Sequence, residues 1–225
     1  MIRVGVAGAA GRLGRVACAA IEAAEDLTLA SRLTRGDDLH AFLDGLDVAV
    51  DCTVYPATLD VSRTAVEAGV APVIGASGWT DADLAALGAL CAKRGVPARF
   101  VPNFSLGAVL MMRFAEAAAR VLPRAEIIEL HHDGKRDAPS GTAKATARRM
   151  RDAGAPDPAI HSVRLPGLVA HQEVIFGGVG ETLTIRHDSL GRDSFAAGIL
   201  AAIRAVRNGT GLTIGLDDVI DGMRA

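Results

Sequence analysis

The densest group of chemically active side chains lies between residues 129 and 143, which read ELHHDGKRDAPSGTA. His131 and His132 stand side by side, and imidazole exchanges protons near neutral pH. Lys135 follows four residues after His131 and could bind a carboxylate or donate a proton. The spacing predicts proton transfer to an anionic substrate.

A helix start completes this group. Ser140, Gly141 and Thr142 open a predicted helix, where hydroxyl and backbone N–H groups would face an anion. With the histidines and the lysine they predict a pocket for a small carboxylic acid that is protonated during the reaction. Neighbouring residues of a strand point to opposite faces, so at most one histidine would face that pocket.

Two other chemistries are disfavoured. A metal site would need further ligands such as His171, His187 or Asp188, whose spacing matches no standard motif, so we expect no metal. A serine hydrolase is also disfavoured because the sequence has no GxSxG nucleophile motif.

A glycine-rich turn, Gly8-x-x-Gly11-x-x-Gly14, follows a strand-like run and opens a helix. Glycines permit a tight turn and close approach of backbone to a pyrophosphate, and a helix N-terminus supplies free N–H groups. The usual dinucleotide fingerprint is GxGxxG, whereas this turn reads GxxGxxG. Its position between a strand and a helix near the start of the chain predicts a dinucleotide-binding turn. The alternative is a strand–helix turn that binds nothing.

The loop after the second predicted strand bears on the choice of nucleotide. An acid there would hold the ribose hydroxyls, whereas a base would accommodate a 2′-phosphate. Arg35 lies at this point and the nearest acids come later, which favours NADP. The alternative is that Arg35 is only a solvated charge.

The first half of the chain alternates strands with helices, which predicts a doubly wound parallel sheet. The predicted strands are 2–7, 27–33, 48–53, 71–75 and 98–101, and the predicted helices run from the glycine turn to about 24, over 58–68 and over 80–94. Thr80 would cap the last helix and Gly95 would end it.

The second half has a different pattern, typical of an α+β module. We predict helices over 106–122, 142–152 and 194–206, strands over 126–131, 161–165, 171–176 and 181–188, and a short tail segment over 212–221. The last three strands have no helices between them, which predicts an antiparallel meander.

Composition narrows the class of protein. The 225 residues include 24 basic and 26 acidic side chains, a net charge of −2 that argues against a nucleic-acid or membrane-surface binder. No apolar run reaches the roughly 18 residues of a membrane span. Met1 leads directly into a strand-like run without the features of a signal peptide. Three scattered cysteines, Cys18, Cys52 and Cys91, fit a reducing cytoplasm.

The segment His131-His132-x-x-Lys135-x-Asp-Ala-Pro-Ser-Gly-Thr-Ala resembles the signature of the 4-hydroxy-tetrahydrodipicolinate reductase family, also called dihydrodipicolinate reductases. The resemblance covers nearly the whole chain. It also includes the glycine turn, Asp51-Cys52-Thr53, Gly75-Ala76-Ser77-Gly78, and the segments 102–105, 168–173 and 186–189.

The resemblance implies a Rossmann dinucleotide-binding domain over residues 1–103 and 196–225. It implies a substrate-binding and tetramerisation domain with an open mixed sheet over 104–195. The implied reaction removes water from a cyclic hydroxy-imine dicarboxylate and adds hydride from NADH or NADPH, in the diaminopimelate route to lysine. A cytoplasmic homotetramer that binds neither nucleic acid nor membrane is expected.

The resemblance also implies residue roles. His131 would be the catalytic acid and Lys135 its partner. The implied substrate-binding residues are His132, Lys135, Ser140, Gly141 and Thr142. The implied cofactor-binding residues are Gly8, Ala9, Ala10, Gly11, Arg12, Leu13, Thr34, Arg35, Gly75, Ala76, Ser77, Val101, Pro102, Asn103 and Phe104.

The chain departs from the family pattern at four places. Thr34 stands where the family usually has an acid, which with Arg35 predicts preference for NADPH or use of both nucleotides. Ala76-Ser77 replaces a Thr-Thr pair, and Gly134 stands where histidine is frequent. The region 151–160 is shorter than the family norm.

The sequence is also compatible with two other functions. One is a related NAD(P)-dependent dehydrogenase acting on another amino or keto acid. The other is a catalytically silent nucleotide sensor, which would be expected to lack His131 or Lys135.

Overall fold

A computed structural model of the chain describes residues 1–122 and 124–223, which form two compact units. The first unit comprises Met1–Phe104 together with residues 195–223. The second unit is Ser105–Ser194. The chain therefore leaves the first unit once and returns to it.

The first unit is built on a parallel sheet of six strands in the order β10-β5-β4-β3-β1-β2. All residues of β3 and β4 are buried, as expected for central strands covered on both faces. This confirms the predicted doubly wound sheet. The strands are β1 (Ile2–Ala7), β2 (Leu27–Leu33), β3 (Val48–Asp51), β4 (Ala71–Ile74), β5 (Ala98–Phe100) and, near the end of the chain, β10 (Leu212–Ile214).

Helices connect and cover these strands. They are α1 (Arg12–Glu22), α2 (Leu39–Leu43), α3 (Ala57–Glu67), α4 (Asp81–Arg94), α7 (Ala196–Val206) and α8 (Asp217–Gly222). The predicted ends of α4 are confirmed. Thr80 and Asp83 form a reciprocal capping box, and Gly95 ends the helix in the left-handed conformation, with φ 66°.

Two features of this unit were not predicted. The helix α2 has only five residues and so carries too little periodicity to detect; Asp38 begins it by accepting from the N–H groups of His40 and Ala41. The tail segment is divided into β10, which lies at the edge of the sheet and pairs with β5, and α8. A three-residue edge strand is recognisable only once its neighbour is in place.

The second unit is an open sheet of four strands in the order β7-β6-β8-β9. Its elements are α5 (Leu106–Ala119), β6 (Ala125–His131), α6 (Gly141–Asp152), β7 (Ala159–Arg164), β8 (Ala170–Gly178) and β9 (Glu181–Ser189), followed by a 3₁₀ turn over Arg192–Phe195.

The predicted meander of the last three strands is wrong. The strand β7 pairs parallel with β6, whereas β8 pairs antiparallel with β6 and with β9. The reason is that α6 carries the chain back from the end of β6 to the start of β7, and such a crossover makes neighbouring strands parallel. The sheet is therefore mixed.

One face of this sheet packs against α5 and α6. Gln172 of β8 is on that face, and its Nε2 lies 2.7 Å from Oγ1 of Thr146 in α6. Strand alternation puts Ile128, Leu130 and Ile175 on the opposite face, where each is half-buried. No helix in the described part of the chain is long and apolar enough to cross a membrane.

Candidate active site

The end of β6 presents Glu129 and His131 on the sheet face that α5 and α6 cover. Residues two apart on a strand share a face, so the sequence pattern itself brings these side chains together. The side chain of Glu129 has no exposed surface, and that of His131 is 13% exposed. Glu129 Oε2 lies 2.5 Å from His131 Nδ1. A carboxylate therefore holds one ring nitrogen of the expected catalytic acid.

Arg164 holds the same carboxylate from the neighbouring strand. Its Nη1 donates to Glu129 Oε2 at 2.9 Å and its Nη2 to Oε1 at 2.7 Å. The parallel register makes this possible because it sets Arg164 opposite His131. The backbone N–H of Ser140, just before α6, also donates to Glu129 Oε1, at 3.2 Å. Glu129 thus joins β6, β7 and the start of α6.

These contacts determine the ionisation of the pair. Burial raises the pKa of Glu129, but hydrogen bonds, chiefly from Arg164, outweigh it and bring the pKa to about 2. Burial lowers the pKa of His131 below its usual value, and the adjacent Glu129 carboxylate opposes that effect. The positive charges of Lys135 and Arg164 lower the pKa of His131 further. The carboxylate is ionised and favours the imidazolium.

The ammonium group of Lys135 is held close to this pair. Its Nζ lies 2.7 Å and 2.9 Å from the two carboxylate oxygens of Asp137. The hydrogen bond from Lys135 keeps the pKa of Asp137 below its ordinary value. Arg164 Nη2 also donates to the backbone oxygen of Asp137, at 2.8 Å. The segment after β6 is therefore anchored to the group that binds Glu129.

The start of α6 presents its backbone next to Glu129. Ser140 is buried, and its Oγ accepts from the N–H of Ala143 at 3.2 Å as the helix cap. The hydroxyl of Ser140 is thus occupied by the cap of α6. Gly141 is exposed at the first position of the helix, where the positive end of the helix dipole favours an anion. His132 follows the last residue of β6 and is half-buried.

The other histidines of this unit do not join the pair. His171 lies on the opposite face of the sheet, with Nδ1 2.7 Å from Oδ1 of Asp188. His187 is on the helix-covered face, where its Nε2 lies 3.1 Å from Oγ of Ser105. Residues 1–122 and 124–223 contain no cluster of three His, Cys, Asp or Glu side chains that could hold a metal ion.

The glycine turn of the first unit has the backbone that a dinucleotide needs. Gly8 has φ +74°, and a Cβ there would lie 2.7 Å from the backbone oxygen of Cys52. A Cβ on Gly14 would lie 2.2 Å from the oxygen of Gly8. Gly11 is the N-cap of α1 and no side chain caps the helix, so its first N–H groups remain accessible to a ligand.

Charged side chains surround this turn. Arg12 and Arg35 are exposed, and neither has a hydrogen bond or ion pair within the described residues. The N–H and Oγ1 of Thr34 each donate to Asp37 Oδ2 at 2.7 Å, and these bonds lower the pKa of Asp37. A carboxylate therefore lies next to Thr34 even though position 34 itself is not acidic. The sequence analysis noted that the nearest acids come later in this loop but gave Asp37 no role, because it lies three residues beyond Thr34.

The remaining expected cofactor residues lie after β4 and β5. A Cβ on Gly75 would lie 2.5 Å from Cε2 of Phe104 and 3.3 Å from Cδ2 of Leu13, so this turn packs against the glycine turn. The side chains of Ala76, Val101 and Phe104 are buried, which leaves their backbone for any ligand contact. Ser77 and Pro102 are exposed, and Asn103 is half-buried.

Sequence reasoning assigned no role to Glu129 or Arg164. The Glu-x-His spacing on a predicted strand was an available signal for Glu129. No local signal could identify Arg164, because its position depends on the parallel pairing of β6 with β7.

Comparison with known proteins gives matches over both units. Family models described as "Dihydrodipicolinate reductase, N-terminus" and "Dihydrodipicolinate reductase, C-terminus" match residues 2–104 and 107–220. The 4-hydroxy-tetrahydrodipicolinate reductase of Nocardia farcinica is 45% identical over 245 residues, covering 98% of this chain and 99% of the relative. That of Moorella thermoacetica is 45% identical over 263 residues, covering 98% of each.

A solved structure shares the fold. The dipicolinate-bound dihydrodipicolinate reductase from Paenisporosarcina sp. TG-14 superimposes with a TM-score of 0.87 at 34% identity, covering 97% of this chain and 99% of that chain.

The alignments to the two relatives run over 245 and 263 positions, whereas this chain has 225 residues. These two relatives therefore contain positions that have no counterpart in this chain.

Proposed function

Because the chain belongs to the dihydrodipicolinate reductase family, we propose that His131, Glu129, Lys135 and the start of α6 form the site at which it acts. The reaction is reduction of 4-hydroxy-tetrahydrodipicolinate with NADH or NADPH, in the diaminopimelate route to lysine. The observation that supports this site is the ionised Glu129 bound to His131 next to the ammonium group of Lys135.

The residues of the glycine turn fit the dinucleotide. Side chains at Gly8 and Gly14 would clash with backbone, and α1 has no side-chain cap, so this turn suits a pyrophosphate held by N–H groups. We assign Gly8 to Leu13 to the pyrophosphate, Thr34 and Arg35 to the adenosine ribose, and Gly75 to Ser77 with Val101 to Phe104 to the nicotinamide. When bound, the nicotinamide supplies the hydride.

The preference between the two nucleotides follows from the charges at the ribose. The unpaired guanidinium of Arg35 favours the 2′-phosphate of NADPH. Asp37 beside Thr34 would accept from a ribose hydroxyl and favours NADH. We propose that NADPH is preferred and NADH is also used, because Arg35 has no intramolecular partner within the described residues, whereas Oδ2 of Asp37 already accepts two hydrogen bonds from Thr34.

The substrate is a dicarboxylate, which requires fixed donors. Gly141 and Thr142 would bind one carboxylate through the start of α6, and Lys135 and His132 would bind substrate oxygens by hydrogen bonds. Ser140 acts through its cap, which holds that helix start in place. To reach a substrate carboxylate, Lys135 exchanges its contact with Asp137 for one with the substrate.

The proton comes from His131. Loss of water gives a conjugated cyclic imine, and hydride addition then leaves an enamine-like centre in the ring. Because Nδ1 of His131 is bound to Glu129, Nε2 is the nitrogen that delivers a proton to that centre. The ammonium of Lys135 stabilises the negative charge that develops on the substrate before the proton arrives.

The assembly and location are also proposals. The face of the second sheet opposite α5 and α6 carries the half-buried Ile128, Leu130 and Ile175, a surface suited to a second copy of the chain, and family resemblance supports a homotetramer. Multi-angle light scattering on the full chain measures this state. The free cysteines, of which Cys18 and Cys91 are buried, support a reducing cytoplasm.

Replacement of His131 by glutamine tests the assignment. Turnover should fall about 10²- to 10⁴-fold because the proton donor is lost, with the Kd for NADPH nearly unchanged. The assay forms the substrate in situ from pyruvate and aspartate semialdehyde with the preceding synthase and follows NADPH absorbance. His161→Gln is the matched control, since His161 also pairs with a strand glutamate, Glu126, but is 54% exposed. Turnover near the wild-type rate in His131→Gln would rule out His131 as the acid.

A further inference from the structure

Glu129 is the most completely enclosed acidic side chain that the structure describes around the proposed site, and the chemistry of proton delivery does not itself require it. Its side chain has no exposed surface. Its carboxylate accepts hydrogen bonds from four residues, namely His131, Ser140, Ser162 and Arg164. An ionised carboxylate with this burial costs free energy unless it is fully hydrogen-bonded. This arrangement therefore indicates that the carboxylate of Glu129 has a specific role.

We infer that Glu129 is a positioning residue that sets the tautomer of His131 and couples that ring to the anion-binding start of α6. Oxygen Oε2 accepts from His131 Nδ1, which leaves Nε2 as the nitrogen that faces the reaction. Oxygen Oε1 accepts from the N–H of Ser140, the residue that caps α6. The inference rests on the proposed function of His131.

Arg164 keeps this carboxylate in one orientation. Its two terminal nitrogens bind the two oxygens of Glu129, a paired geometry that restricts rotation of the carboxylate. The same guanidinium binds the backbone oxygen of Asp137, whose carboxylate holds Lys135. One planar ion pair therefore fixes the expected acid, its partner lysine and the helix start relative to each other.

The charges around His131 decide the direction of its pH response. Glu129 on its own strand favours the imidazolium, whereas Arg164 from β7 and Lys135 from the following segment disfavour it. Asp137 lies against Lys135, and His187 is on the same sheet face across β8. Removal of the charge of Glu129 leaves two uncompensated cations, which lowers the pKa of His131.

The Glu129→Gln variant tests this role, with Glu126→Gln as the matched control. Glu126 is on the same strand and also binds a histidine, His161 at 2.8 Å, but its side chain is 64% exposed on the opposite face. For Glu129→Gln we expect kcat to fall at least about tenfold, as for other partners that orient a histidine. The upper-pH limb of kcat should move to lower pH, because the acid loses its proton sooner. The Kd for NADPH should stay within about twofold.

A histidine NMR measurement on the unaltered protein covers the case in which Glu129→Gln does not fold. With ¹⁵N-labelled histidine, and the His131 signals assigned from His131→Gln, the neutral ring of His131 should carry its proton on Nδ1. A neutral ring protonated on Nε2 would overturn the inference. An unshifted pH limb with kcat within about twofold of wild type in Glu129→Gln would do the same.

The role of His131 as the acid and the role of Glu129 as its positioning residue are tested by different variants. Retained turnover in His131→Gln would remove the proposed acid itself. An inactive His131→Gln together with a Glu129→Gln that behaves like Glu126→Gln would leave the proposed function standing and remove only the positioning role.

Discussion

Replacement of Gly14 by alanine should weaken NADPH binding by opening the glycine turn. A Cβ at position 14 would lie 2.2 Å from the backbone oxygen of Gly8 and 2.8 Å from the Cα of Ala9. Both neighbours are backbone, so neither can rotate away as a side chain would. The start of α1 must therefore move roughly 1 Å from the end of β1 before the contact becomes tolerable.

The magnitude follows from what that movement removes. A hydrogen bond to a charged group contributes about 1.5–3 kcal/mol, and a shift of this size is enough to lose one N–H contact with the pyrophosphate. The Kd for NADPH should therefore rise about 10- to 150-fold. Strain from the added methyl group should also destabilise the fold by about 1–3 kcal/mol.

A graded series of alanine variants separates this effect from general damage. Gly11→Ala places a Cβ 3.1 Å from the Gly8 oxygen and should show an intermediate loss. In Gly88→Ala the Cβ would lie 3.7 Å from Leu212, an ordinary contact, and the change should raise helix stability by up to about 1 kcal/mol. Isothermal titration calorimetry measures the Kd, and thermal denaturation shows that each variant is folded.

A folded Gly14→Ala protein that binds NADPH within twofold of wild type would show that this turn does not position the nucleotide. Equal losses in Gly14→Ala and Gly88→Ala would show that the effect is not local to the turn.

Other predictions concern charge. Arg35→Ala should raise the Kd for NADPH roughly tenfold and leave that for NADH unchanged, because only NADPH has a 2′-phosphate; unchanged NADPH binding in titration would contradict the assignment. Asp218→Ala should destabilise the protein by about 1–3 kcal/mol in thermal denaturation, since Arg99, 2% exposed, loses bonds of 2.7 Å to both carboxylate oxygens. Asp60→Ala is the control, because it removes an exposed ion pair with Arg63 and should lower the free energy of unfolding by under about 0.5 kcal/mol. Equal losses of stability in Asp218→Ala and Asp60→Ala would show that the burial of Arg99 is not the cause. The hydrogen bond from Arg99 lowers the pKa of Asp218 in the folded protein. The stabilisation by this ion pair is therefore present above the pKa of the unfolded state and disappears as the pH falls through the pKa of the folded state. Asp218→Ala should accordingly lose less stability than the wild type when the pH is lowered.

The local elements of the fold were predictable where caps and periodicity agreed. The strands β1 and β2 have the predicted bounds, and α4 begins and ends at the expected cap residues. The short helix α2 and the edge strand β10 escaped prediction because each has too few residues to show a pattern. Local propensity carries little information over three to five residues.

Some features of the candidate site were also predictable from the sequence, and others were not. The types and spacing of His131, Lys135 and Ser140 were sufficient to predict proton transfer to a carboxylic acid. The position of Glu129 was also present in the sequence, since residues two apart on a strand share a face. The sequence therefore contained the proposed reacting groups and the carboxylate that holds one of them.

The register between strands, in contrast, could be read only from the folded structure. The contact of Arg164 with Glu129 depends on β7 pairing parallel with β6, whereas the predicted meander would have placed β7 elsewhere. The carboxylate of Asp37 reaches Thr34 only through the turn between them. Sequence determines which residues are available at each position, but contacts between distant segments depend on packing, which no local pattern encodes.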